Sequence, residues 1–121
     1  MRRMNRRTVL FVLLGLIGAG AGSTAAHAIL LEATPAVNTT VSGPEVSIKL
    51  RFNVRIDGGR SRLILALPDK TSRALELRPQ PAPDTLVAAA AGLGAGAYRL
   101  RWQVLASDGH ITRGEVPFSV K

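Results

Sequence analysis

A strict two-residue alternation of apolar and polar side chains governs three stretches of this chain. From Glu45 to Phe52, Val46, Ile48, Leu50 and Phe52 alternate with Ser47, Lys49 and Arg51. Tyr98, Leu100, Trp102 and Val104 alternate with Arg99, Arg101 and Gln103, and Val116, Phe118 and Val120 with Glu115, Pro117 and Ser119. Successive side chains of an extended strand point to opposite faces, so each stretch predicts a β-strand with one face in a core and one in water. Weaker strands are expected at Leu30–Ala33, Arg62–Leu67, Arg73–Arg78 and Thr85–Ala89. The breaks between them, such as Thr34-Pro35, Ser42-Gly43-Pro44, Asp57-Gly58-Gly59 and Asp108-Gly109, carry the Gly, Pro and Asp that turns require. Ala88–Ala91 has the composition of a helical turn, but the glycines that follow would end it at once. Seven short strands with regular turns predict an all-β, antiparallel β-sandwich. Pro117 lacks a backbone donor, so its strand is expected at an edge, or with that position facing outward.

The start of the chain reads as an address. Arg2, Arg3, Arg6 and Arg7 precede an apolar run, Val9–Ile17, and the small residues Gly18 to Ala26 follow. This is the order of a cleavable secretory signal, and the run is too short for the roughly 20 residues of a membrane-spanning helix. Arg6-Arg7 is compatible with a Tat signal, and the hydrophobic run with general Sec export. Ala26-His27-Ala28 satisfies the cleavage rule and would release Ile29; Thr24-Ala25-Ala26 also satisfies it and would release His27. The expected organisation is a signal peptide over residues 1–26 and one domain over 27–121.

Removing the signal changes the charge argument. The whole chain carries a formal +8, but from His27 on there are 12 basic against 8 acidic residues. The remaining aromatics, Phe52, Tyr98, Trp102 and Phe118, all hold core-phase positions, so a stacking surface for nucleic acid is not expected. The arginines read as solvated strand faces, with docking to an acidic partner or a membrane surface as the other option. With no Cys in the chain, disulfides, thiolate metal sites and Cys nucleophiles are excluded. Ser107, Asp108 and His110 lie too close in sequence to line up as nucleophile, base and orienter. No Gly-rich strand-to-helix loop for phosphate is present.

Two histidines follow the signal, His27 and His110. In Asp108-Gly109-His110 the side chains at i and i+2 share a face when the chain is extended, which places a carboxylate beside an imidazole. If cleavage releases His27, its free amine and ring nitrogen supply two more donors. Three nitrogens and one oxygen suit Cu(II), and Zn can take the same set. With no sulfur donor beyond Met4, a Cu(I) site and a blue-copper site are not expected. The plainer alternative is a solvated turn in which Asp108 caps its own backbone.

These pieces resemble the CopC-type periplasmic copper-binding proteins. The resemblance rests on His27-Ala-Ile-Leu-Leu-Glu-Ala-Thr-Pro-Ala36 after a signal, on Val46-Ser-Ile-Lys-Leu-Arg-Phe-Asn53, and most specifically on Gly96-Ala-Tyr-Arg-Leu-Arg-Trp-Gln-Val-Leu-Ala-Ser-Asp-Gly-His110 followed by Gly114-Glu-Val-Pro-Phe-Ser-Val120. It implies a seven-stranded Greek-key sandwich or barrel of immunoglobulin-like or cupredoxin-like type, and cleavage before His27. It implies a Cu(II) site made by His27, Asp108 and His110 in a monomeric, non-enzymatic carrier or buffer with a CopD-type membrane partner. Two rival functions remain at this level. One is an oxidative enzyme with a histidine-brace copper site; the other is a metal-free accessory module.

Overall fold

The computed structural model describes residues 27–121, and the expected signal over residues 1–26 lies outside them. Eight strands form two sheets. In chain order they are β1 (Leu30–Thr34), β2 (Thr39–Val41), β3 (Val46–Phe52), β4 (Arg62–Ala66), β5 (Ser72–Leu75), β6 (Thr85–Ala90), β7 (Gly96–Leu105) and β8 (Ile111–Val120). One sheet has the order β1-β3-β6 and the other β2-β8-β7-β4-β5. Strands distant in sequence thereby become neighbours, β3 with β6 and β4 with β7, the kind of crossing that Greek-key connections produce.

The three alternating stretches lie where their pattern requires. On β3, Val46, Ile48, Leu50 and Phe52 are buried, and on β7 so are Tyr98, Leu100, Trp102 and Val104. Val116, Phe118 and Val120 complete the core from β8. The sheets are joined through aromatic packing: Phe52 of one sheet meets Trp102 of the other edge to face, with ring centroids 5.1 Å apart. Within the larger sheet Tyr98 stacks on Phe118 at 5.6 Å, and its hydroxyl donates to the Gly94 carbonyl. The Ala88–Ala90 segment is strand, paired with Val46–Ile48.

The structure corrects the expected strand list in three places. A further strand, β2, is only three residues long and pairs in parallel with β8, so the architecture is antiparallel except at that one ladder. Three polar or half-buried residues carry no periodic signal, and their strand exists because Thr39–Val41 finds Phe118–Val120 as a template. The C-terminal strand begins at Ile111 rather than Glu115, since pairing with β7 continues to Leu105–Ile111. Conversely, β5 stops at Leu75, short of Arg78. Pro117 lies between β7 and the start of β2. Its carbonyl accepts from the Asn38 N–H, so its missing donor faces away from the β7 ladder and no β7–β8 bond is lost there.

Candidate metal site

His110 ends the five-residue connection between β7 and β8. The Ala106 N–H donates to the His110 carbonyl and the Gly109 N–H to the Ala106 carbonyl, which closes a compact turn. Gly109 adopts φ +89°, a conformation that side chains disfavour, so glycine between Asp108 and His110 is a requirement of this turn. The stretch before β4 braces the same turn. Ser107 N–H donates to the Arg55 carbonyl and Asp57 N–H to the Leu105 carbonyl.

Asp108 spends both carboxylate oxygens on His110. Oδ1 accepts the His110 backbone N–H at 3.1 Å, and Oδ2 stands 3.2 Å from Nδ1 of the ring. The carboxyl is held below the usual carboxylate range, first by that backbone N–H and then by the ring itself, with burial opposing them. With Nδ1 turned toward the carboxylate as its donor, Nε2 is the nitrogen through which the His110 ring can offer a lone pair to a metal.

His27 reaches the turn from the other sheet. Ala28 is buried in the core, at 4% exposure, and fixes where the chain emerges. The Ile29 N–H donates to Oδ1 of Asn53 at 2.7 Å, and the Asn53 N–H donates to the Ile29 carbonyl at 3.0 Å. These two bonds tie the segment to the end of β3 and set the His27 ring 5.9 Å from the His110 ring, centroid to centroid, at 76°. With metal–imidazole bonds near 2.0 Å, two rings on one ion stand roughly 4.5–6.5 Å apart, so this spacing fits a shared ion.

All three residues singled out from sequence therefore meet at one end of the sandwich. They do not form a closed triad: among the described residues no three His, Cys, Asp or Glu side chains are gathered at metal-ligand spacing. Direct ligation by Asp108 requires Oδ2 to turn from His110. Kept where it is, Asp108 acts instead as the carboxylate partner that orients a ligating histidine. The donors present suit a nitrogen-rich cation site. Sequence reading missed Ala28 and Asn53 as the anchors of His27. An Asn at the end of an alternating strand, where a polar side chain can bond a neighbouring backbone, was the available signal.

Comparison with known proteins places the chain in a family. The CopC domain model matches residues 30–121. Copper resistance protein C of Xanthomonas campestris pv. juglandis is 30% identical over 122 residues, covering 94% of this chain and 93% of that protein. Protein YobA of Escherichia coli strain K12 is 32% identical over 105 residues, covering 79% and 80% of the two. Among solved structures, CopC from Methylosinus trichosporium OB3b superposes with a TM-score of 0.70 at 28% identity, covering 78% of this chain and 94% of that one. PcoC from Escherichia coli, described as a methionine-rich copper resistance protein, gives 0.64 at 27% identity, covering 79% of this chain and all of that one. The chain, built as an all-β sandwich with two histidines converging at one end, belongs to the CopC domain family.

Proposed function

We propose that this protein is a periplasmic Cu(II) carrier or buffer that holds its cargo with His27, Asp108 and His110. The observation that carries the reading is the 5.9 Å approach of the His27 and His110 rings, delivered by opposite sheets, in a chain whose relatives include copper resistance proteins. Export by Sec or Tat and cleavage before His27 would free an amine next to the ring, giving three nitrogens around one cation. Asp108 then either contributes an oxygen or holds His110 in the ligating tautomer. The described residues contain neither Cys nor Met, in contrast to the methionine-rich PcoC, which favours Cu(II) over Cu(I) as the cargo. The role is binding and transfer rather than catalysis, by a monomer, with a CopD-type membrane protein as the receiving partner.

Titration of the exported protein with Cu(II) tests this reading. His27→Ala and His110→Ala are each expected to weaken binding by more than about 100-fold, beyond the roughly 10–100-fold typical of changes to residues that only support a ligand. Arg60→Ala, on an exposed turn, is expected to leave it unchanged. Equal effects of all three would place the site elsewhere. Ligation requires the amine and the rings to be deprotonated, so affinity falls from pH 7 to pH 5. Undiminished binding at pH 5 would contradict the ligand set.

A further inference from the structure

The outer face of the five-stranded sheet gathers five of the twelve basic residues of the described chain. Arg99 and Arg101 of β7, Arg62 of β4, Arg113 of β8 and Lys70 of the β4–β5 turn line two shallow, adjoining concavities of about 580 and 380 Å³, and Glu115 is the one acidic residue among the residues that line them. The residues lining these concavities thus hold five positive charges and one negative, while Asp69, beside Lys70, and Glu76, exposed in phase with Ala74 at the end of β5, stand at their border. The other charged residues from His27 on, seven basic and seven acidic, cancel. Glu115 is shared between Arg99 at 2.9 Å and Arg101 at 3.5 Å, which leaves Arg62, Lys70 and Arg113 without a carboxylate within ion-pair distance among the described residues. Arg113 bonds the neutral amide of Gln103.

We infer that this face docks on a bilayer surface containing anionic phospholipid. A protein partner is anchored by buried aromatic and apolar side chains at the centre of the contact. Here Tyr98, Trp102 and Phe118 all turn into the core. Ile111, the large exposed apolar residue on these strands, stands at their end beside His110 rather than in the middle. Half-buried Ile64 of β4 lies among the cations but no exposed aromatic side chain does, and cations spread over a sheet without such an anchor are matched by the laterally mobile phosphates of a lipid surface. The surface is built by extended β7 and β8, so docking lays these strands along the bilayer and keeps the Asp108–His110 turn at the margin of the contact. The inference stands on charge and geometry and does not depend on the metal reading.

The test is sedimentation of the exported protein, its start fixed by mass, with vesicles of phosphatidylglycerol and phosphatidylcholine against vesicles of phosphatidylcholine alone. Binding is expected to the first only, and to fall steeply as salt is raised. The pair Arg62→Gln and Arg101→Gln is expected to lower the partition coefficient roughly 25-fold, about 5-fold per cation. Arg55→Gln with Lys49→Gln makes the same change in net charge off this face, Lys49 being exposed on β3 of the other sheet, and is expected to alter it by less than about 2-fold. Glu115→Gln is expected to strengthen binding about 5-fold, a gain that misfolding would not produce. Equal losses from the two double variants would overturn the inference by showing that net charge, not this face, does the binding. Equal binding to both vesicles would overturn it in favour of apolar contact. Indifference to anionic vesicles at low salt would overturn it and leave an acidic protein as the partner for these cations.

Discussion

His27 and His110 arrive at the same end of the sandwich by opposite means. His110 is placed locally. Its carbonyl, its backbone N–H and its ring are all engaged by residues within four positions of it, in a turn whose geometry Gly109 permits. His27 is placed at long range. Its position depends on Ala28 reaching the core and on Asn53, 24 residues away from Ile29, clasping the backbone there. A site built this way has one preorganised half and one half whose order depends on the N-terminal segment staying docked. The difference predicts that changes on the two sides will not act alike.

The largest effect should come from deleting His27 and Ala28, so that the chain starts at Ile29. This removes the half of the site that is placed at long range, while β1, which begins at Leu30, stays paired with β3. Cu(II) affinity is expected to fall on the order of 100-fold or more, with the sandwich still folding cooperatively by circular dichroism. Retained affinity would mean that the local turn alone binds metal. Next, Asn53→Ala leaves every proposed ligand in place but frees Ile29. Loss of one backbone-accepting hydrogen bond should cost about 1 kcal/mol of stability. Copper affinity should drop about 10-fold, the scale of lost support for a ligand. Asn53→Asp keeps an accepting oxygen and should restore most of the affinity. A purely structural Asn53 would lower the melting temperature without touching copper binding or its visible spectrum.

The turn offers the complementary experiment. Asp108→Asn preserves an oxygen for the His110 N–H but removes the negative charge beside the ring. If Asp108 ligates directly, affinity falls as far as for His110→Ala; if it orients His110, the loss is smaller, about 10-fold. The smallest expected effect lies away from the site, at the β4–β5 turn. There the Thr71 hydroxyl and backbone N–H hold the Asp69 carboxyl below the usual carboxylate range, the hydroxyl contributing most. A carboxyl lowered on folding adds stability above its unfolded pKa of about 3.9, and that contribution disappears as pH falls through the lower folded value. Asp69→Asn should therefore slightly flatten the acid end of the stability curve while leaving copper binding unchanged.

The same local and long-range division explains how much the sequence disclosed. Period-two patterning identified β3, β7 and the inner half of β8, because those strands have one buried face and one wet face. Asp108-Gly109-His110 was legible as a turn bearing a carboxylate and an imidazole, since its chemistry is contained in three residues. The strand β2 was not legible, because it is held by pairing with β8 and not by its own pattern. The hold on His27 was equally hidden. Ala28 is too small to advertise itself as an anchor, and the Asn53 amide acquires its role only when β3 brings it beside Ile29.

The central claim, one copper site joined across the two sheets through a newly exposed His27, is tested most directly by native mass spectrometry of the exported protein after one equivalent of Cu(II). The account predicts a chain beginning at His27 that retains a single copper ion through desalting, and a His110→Ala variant that does not. A chain beginning at Ile29, or a His27 chain that emerges metal-free, would contradict it.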